Sequence, residues 1–310
     1  MALTAQTVRE WGAELSNWGR WGDDDQIGTL NLITPERVAT AAGSVREGLV
    51  VSCAIDFNAQ GPMPGAGRMN PRHTMTQTGH DQDWPGGFRY ADDDLELTLQ
   101  CGTQWDALSH VYYDGHLYNG RPESVVTSEG AQANSIDQLR ERVVGRGVLL
   151  DIAAASGVDA LDDGTAIGPD DLDAAATAEG VEVASGDILL VRTGRMGRVH
   201  RDGEWGQSYV FGPAPGLSVR CAHWLKENDV AAVACDNVGV EVMPPEVEDC
   251  MMPLHMICLR DMGLTFGEIF DLERLASVAH DRGRFDFFFV AAPLPITGAV
   301  GSPINPIAIF

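Results

Sequence analysis

Six short stretches of the chain are almost continuously apolar or alternate apolar with polar residues: Leu49 to Ile55, Leu95 to Gln104, Gly147 to Ala153, Asp187 to Arg192, Val230 to Cys235 and Phe285 to Ala291. Runs this short read as strands, and those without alternation read as strands covered on both faces. Elsewhere the apolar spacing lengthens to that of a helix, over Thr34 to Ala42, Pro169 to Glu179, Leu217 to Asn228 and Asp271 to His280. The second of these opens with acidic residues, which favour a helix N-terminus. This mixture of strands and helix crossovers predicts an α/β or α+β chain in which helices partly cover a large sheet. From Gln60 to Asp94 aliphatic residues are scarce while Gly, Pro, His and Asp abound. That composition predicts a long excursion without regular structure of its own. No internal repeat or Pro/Ser/Gly-rich linker interrupts the 310 residues, so the chain reads as one domain with an insertion at about 60–94.

Composition narrows the function classes. Hydrophobic residues at 44% and charged residues at 21% are those of a globular chain and exclude disorder. The formal charge of −24 repels a phosphate backbone and argues against nucleic-acid binding. No window reaches the roughly 18 apolar residues of a membrane span, and the opening MALTAQTVREWGAELSNWGRWG lacks a basic start followed by an apolar stretch. The expectation is a soluble cytoplasmic protein with no membrane partner. Cys53, Cys101, Cys221, Cys235, Cys250 and Cys258 show no CxxC spacing and read as small buried hydrophobes.

Candidate chemistry concentrates in two places. In the first, Leu97 to His110, a strand breaks at Gly102 and then places Gln104, Asp106 and His110 at short intervals. Extended chain alternates faces, so Gln100, Gln104 and Asp106 share parity and can point into one cavity. In the second, Pro253 to Phe270, His255 and Glu268 are polar positions set among apolar ones. A buried Glu needs a cation or hydrogen-bond donors around it. The competing readings are loop and cap groups for the first stretch, and a satisfied core His with a solvated Glu for the second. Trp105, Tyr112, Tyr113 and Tyr118 lie near His110, with Trp84 and Phe88 in the preceding loop. Such rings suit a flat or cyclic organic substrate, although Trp105 and Tyr113 are equally readable as packed core. His73, His80, Asp81 and Asp83 are candidate extra ligands from the loop, or solvated side chains. Arg89, Arg146 and Arg192 are available to an anionic ligand that the net charge would otherwise disfavour.

The motif Gly102-Thr103-x-x-Asp106-x-x-x-His110 resembles the HxGTHxDxPxH signature of the cyclase family, metal-dependent hydrolases that include bacterial kynurenine formamidase and isatin hydrolase. Trp18 to Leu32, Gly145 to Asp151, Gly186 to Gly194 and Gly301 to Ala308 are similar to other segments of the longer members. The resemblance implies a swivelling β/β/α fold, a mixed sheet or barrel with flanking helices, assembled as a homodimer or homotetramer. It implies metal ligation by Asp106, by His255 as the later His and by Glu268 as the later Glu, with His110 beside the reacting water. The chain departs from the signature at Gln100 and Gln104, where the family has histidines, and at Leu108, where it has Pro. A glutamine carbonyl is a hard oxygen donor, weaker for Zn²⁺ than an imidazole and better matched to Mn²⁺, Mg²⁺ or Ca²⁺. Three arrangements stay open: one metal held mainly by Asp106, His255 and Glu268, with Zn²⁺ or Mn²⁺ as the ion; Mn²⁺ with Gln100, Gln104 and water completing the shell; or no metal. The implied function is hydrolysis of a small cyclic or aryl amide, lactam, lactone or ester by metal-activated water with His110 and Asp106 catalytic. The alternatives are a metal-free lyase, dehydratase or isomerase, and a binding protein that has lost catalysis.

Overall fold

In the computed structural model, which describes residues 3–65, 67–206 and 208–310, the apolar runs supply the spine of one nine-stranded sheet. In chain order the strands of three or more residues are β1 (Val50–Ser52), β2 (Arg72–Gln77), β3 (Asp92–Glu96), β4 (Gln104–Asp106), β5 (Val144–Asp151), β6 (Ile188–Arg192), β7 (Ala232–Cys235), β8 (Thr265–Glu268), β9 (Asp286–Val290), β10 (Gly301–Pro303) and β11 (Ile307–Ile309). Strands β2 and β3 form a separate antiparallel hairpin. The others run β1-β11-β9-β5-β6-β7-β8-β4-β10 across a curled half-barrel, with β5 to β8 parallel and antiparallel strands on both flanks. Flanking helices complete the α/β architecture expected from the sequence: α1 (Ala5–Leu15), α2 (Pro35–Ala42), α3 (Pro169–Glu179), α4 (Arg195–Asp202), α5 (Cys221–Glu227) and α6 (Glu273–Arg282). No helix among the described residues is long and apolar enough to cross a membrane.

The unbroken apolar runs follow from burial on both faces. Val148 and Leu150 of β5 join a core with Leu172 and Ala175 of α3 and Leu225 of α5. Leu149 between them points the other way, into a second core with Leu275, Ala276 and Ala279 of α6 and with Phe287 and Phe289 of β9. With helices on one side and helix plus aromatic strand on the other, no polar face is needed. Helix α2 starts where Thr34 caps it, its hydroxyl accepting from the Arg37 amide, with Pro35 at the first helical position. Helix α3 closes at Gly180, whose φ of 63° gives the left-handed turn that a side chain resists. All six cysteines are buried thiols.

Several sequence expectations are corrected. Leu95 to Gln104 is not one strand: β3 ends at Glu96, and the Cys101 amide turns back to the Thr98 carbonyl at 3.0 Å before β4 starts. Gly147 to Ala153 is offset, because β5 begins at Val144 and the Asp151 carboxylate caps a short helix, Ile152–Ala155, through the Ala154 amide. The helix expected over Leu217 to Asn228 begins only at Cys221, since Gly216–Leu217 pairs in parallel with Ala166–Ile167. The one expected from Asp271 begins at Glu273. Gln60 to Asp94 does contain regular structure, the β2 strand and the start of β3, and every residue of that hairpin is exposed. A ribbon that buries neither face has no reason to alternate, which is why its pattern read as loop.

Candidate active site and metal centre

Strands β8 and β4 pair antiparallel with Glu268 opposite Gln104 and Gly267 opposite Trp105, while β10 sets Gly301 opposite Asp106. Directly opposed residues share a face, so strand parity puts Gln104, Asp106 and Glu268 together. Gln104 Nε2 donates to Glu268 Oε2 at 2.8 Å and reaches Asp106 Oδ1 at 3.4 Å. The same parity turns Trp105 away. It is fully buried, its indole N–H donates to the Ala291 carbonyl at 2.8 Å, and its ring lies edge-on to Phe270. Gly267 makes that packing possible, because a Cβ there would stand 2.7 Å from the indole. Trp105 is therefore core and not a substrate contact.

His255 arrives from another element, the turn Pro253–His255 that runs into a π-helix, Met256–Met262. Glu241 holds it: one carboxylate accepts the Leu254 and His255 amides at 3.0 Å each and His255 Nδ1 at 2.6 Å. A carboxylate only accepts, so Nδ1 carries the proton and Nε2 is presented to the strand pair. Nε2 stands 3.6 Å from Glu268 Oε1 and 4.0 Å from Asp106 Oδ2. Ligand atoms of Asp106, His255 and Glu268 all lie within 4.8 Å of one another, and all three residues are buried. His110 Nε2 is 3.9 Å from Asp106 Oδ1, and its side chain is 23% exposed. It is thus the member of the group that solvent and a substrate can reach.

Burial raises both carboxyls, but their surroundings pull them apart. For Asp106 burial dominates, the Glu268 charge adds to it, and the group rises to about 6 against the pull of His110 and His255. For Glu268 burial is outweighed by the hydrogen bond and charge of His255, which hold it below its ordinary range. Burial would lower His255, yet the hydrogen bonds and charges of Glu241 and Glu268 raise it to about 10. A proton on Nε2 and a divalent cation at the same place are alternative ways of meeting the carboxylates' charge.

The donor set fits a cation. Asp106 Oδ2 and Gln104 Oε1 are buried acceptors without any hydrogen-bond partner. An unmet buried acceptor costs about 1–3 kcal/mol, so two beside an imidazole with its Nδ1 already committed are hard to explain by packing. Gln100 is also buried, and its Nε2 lacks a partner; its carboxamide lies against Gly301, where a Cβ would come within 2.6 Å.

Other expected site residues lie elsewhere. Tyr113 donates to Asp261 Oδ2 at 2.6 Å beneath the Arg260 guanidinium and against Gly12 of α1, so it braces helix packing. Trp84 and Phe88, 52% and 61% exposed, lie in the segment joining β2 to β3. His73 pairs with Asp93 across the hairpin, while His80, Asp81 and Asp83 are exposed. Tyr118 is buried on Asp25. Arg146 is engaged by Asp187 and Asp286, and Arg192 by Asp151 and Glu273. Glu241 was missed, though a lone carboxylate inside Val240-Glu241-Val242 was a readable signal of a buried charge with a purpose.

Two carboxylates and an imidazole brought by two strands and a helical turn to one point define an α/β protein with a candidate metal centre in its sheet. The chain belongs to the cyclase family: the family model described as "Putative cyclase" matches residues 28–242. A solved structure described as a novel cyclase is 40% identical, with 95% of this chain and 99% of that one covered at a TM-score of 0.86. Isatin hydrolase A from Ralstonia solanacearum shares the fold at 20% identity, 87% and 94% coverage and a TM-score of 0.63. So does a predicted metal-dependent hydrolase from Bacillus stearothermophilus, at 18% identity, 84% and 97% coverage and a TM-score of 0.51. No curated protein matches the chain.

Proposed function

We propose that the protein is a metal-dependent hydrolase that opens an amide, lactam, lactone or ester bond of a small cyclic or aryl substrate. The observation that carries this reading is the convergence of Asp106, His255 and Glu268 within 4.8 Å beside the accessible imidazole of His110. The fold shared with isatin hydrolases and with metal-dependent hydrolases supports it. Asp106, His255 and Glu268 would hold the ion, with the unpartnered Gln104 Oε1 and the Gln100 carboxamide as neutral oxygen donors. Two carboxylates, one imidazole and amide oxygens form an oxygen-rich set, which suits Mn²⁺ better than Zn²⁺. Such an ion, when bound, acidifies water and polarises the scissile carbonyl.

The residues of the chain do the rest. Gln104 N–H, shared between Glu268 and Asp106, keeps both carboxylates aimed at one point. Glu241 fixes the His255 ring through Nδ1. His110 Nε2, steered by Asp106, takes the proton of the attacking water and returns it to the leaving nitrogen or oxygen, a two-way transfer that imidazole performs near neutral pH. A small-molecule substrate and a homo-oligomeric assembly, dimer or tetramer, belong to the same proposal.

The test is acid release by the Mn²⁺-supplied protein from aryl formamides, lactams, lactones and aryl esters. Hydrolysis of at least one class, abolished by chelation and restored by Mn²⁺, is expected. If all four classes are inert, the hydrolase reading is wrong and a lyase or a non-catalytic binder takes its place.

A further inference from the structure

We propose that Thr103 and Thr265 are positioning residues for the Asp106–His255–Glu268 cluster, their hydroxyls clamping β4 to β8 at opposite ends; the inference rests on the metal site assigned above. The strands that carry Gln104, Asp106 and Glu268 are three and four residues long, and they are in register over two pairs, Gly267 with Trp105 and Glu268 with Gln104. A ladder of two pairs supplies few backbone bonds to set against the entropy of ordering it. A metal site nevertheless needs its ligands held within about 0.5 Å of the working geometry.

A buried hydroxyl closes each end of the pair. At one end Thr103, the residue before β4, donates through Oγ1 to the carbonyl of Ile269, the residue after β8, at 2.6 Å. The same oxygen accepts the Ile55 amide at 2.9 Å, and its single proton is committed to Ile269. At the other end Thr265, which opens β8, donates through Oγ1 to the carbonyl of Asp106, which closes β4. Both threonines are buried. The clamps therefore bracket the stretch in which Gln104 Nε2 reaches Glu268 and Asp106, and one of them ends on a ligand residue itself.

The backbone beside Glu268 shows why a clamp is needed there. Ile269 has a φ of 57°, a left-handed conformation that a β-branched residue resists. Such a residue persists only where its surroundings over-determine it, and positions of this kind gather at working sites. Ile269 is held in three ways: its amide donates to the Asn237 carbonyl at 2.9 Å, its carbonyl takes the Thr103 hydroxyl, and its side chain is buried in a small core with Ile55, Met196 and Tyr209. Freed from Thr103, this residue relaxes toward extended geometry and turns the adjoining Glu268 carboxylate away from Asp106 and His255. The Thr265 bond to Asp106 limits the same motion from the other strand.

The test compares Thr103→Val and Thr265→Val, which keep the side-chain shape and delete the hydroxyl, with Thr103→Ser and Thr265→Ser, which keep the hydroxyl. Thr29→Val is the control, because Thr29 is also buried but donates to the carbonyls of Ala231 and Gly263, outside the strand pair. Chelator-treated proteins are titrated with Mn²⁺ by calorimetry, and amide hydrogen exchange is followed without metal. Each valine variant should bind Mn²⁺ about tenfold or more weakly than the parent, with the serine variants close to it. Each should also lose exchange protection in β4 and β8 more than in β5 and β6. Thr29→Val should keep the parent's Mn²⁺ affinity. The proposal is overturned if either folded valine variant retains that affinity, if serine fails to restore it, or if Thr29→Val weakens it as much. The two clamps are tested separately, so loss of folding in one valine variant leaves the other to decide. Unchanged protection of β4 and β8 in the valine variants overturns the proposal as well, and this readout needs neither metal nor turnover, which separates it from any failure of the hydrolase reading.

Discussion

Replacement of His110 by alanine lowers turnover by about 10²–10⁴-fold, the range by which a positioned acid–base group accelerates proton transfer. The structure makes this a test of chemistry more than of folding. His110 is the accessible imidazole of the site, 3.9 Å from Asp106 and still 23% exposed, whereas His255 is buried and committed to Glu241. Removing it deletes no core contact of the kind that fixes Trp105. The variant should keep its circular dichroism spectrum and thermal midpoint, take up Mn²⁺ like the parent, and fail in kcat on whichever substrate the acid-release assay identifies. Unaltered kcat in a folded, metal-loaded His110→Ala protein would remove the proton-transfer role assigned to that side chain.

Glu241→Gln is expected to weaken metal binding by about 10–100-fold, the typical effect of losing the group that orients a ligating imidazole. The carboxylate accepts three N–H groups at once, and an amide nitrogen in place of either oxygen turns an acceptor towards donors. His255 loses both its orientation and part of its basicity. The same change has a signature in the metal-free protein. There the proton held by His255 stabilises the fold fully below the ordinary histidine value of about 6.5. That stabilisation fades as the pH rises through about 10. Without the Glu241 charge the folded-state value falls, so the stabilisation is smaller and is exhausted at a lower pH, which thermal melts across the alkaline range would detect. Parent-like Mn²⁺ affinity in the variant would mean that Glu241 serves the backbone turn alone.

What the sequence revealed depended on how much burial constrained each element. Strands β6 and β7 and the end of β5 were legible because both their faces are buried, leaving uninterrupted apolar residues, and β9 because Phe287 and Phe289 fill one core within a run of apolar residues. The β2–β3 hairpin was not, since nothing among the described residues covers it. Strands β4 and β8, of three and four residues, are too short for a periodic signal, yet they carry Gln104, Asp106 and Glu268. Those residues were found through the Gly102 to His110 motif and through the oddity of a polar side chain in an apolar run. Trp105 was misplaced although the needed reasoning was at hand: if Gln104 and Asp106 share a face, the residue between them must leave it. The partners of Arg146 and Arg192 come from distant segments, Asp187 and Asp286 for one, Asp151 and Glu273 for the other, so no local pattern could show that these cations were taken.

Titration of chelator-treated protein with Mn²⁺, read by calorimetry alongside Asp106→Asn and His255→Ala, probes the heart of this account. One ion per chain in the parent, with that binding lost or severely weakened in both variants, is the predicted result. Absence of binding in the parent to Mn²⁺ or Zn²⁺, or uptake by both variants that matches the parent, would contradict it.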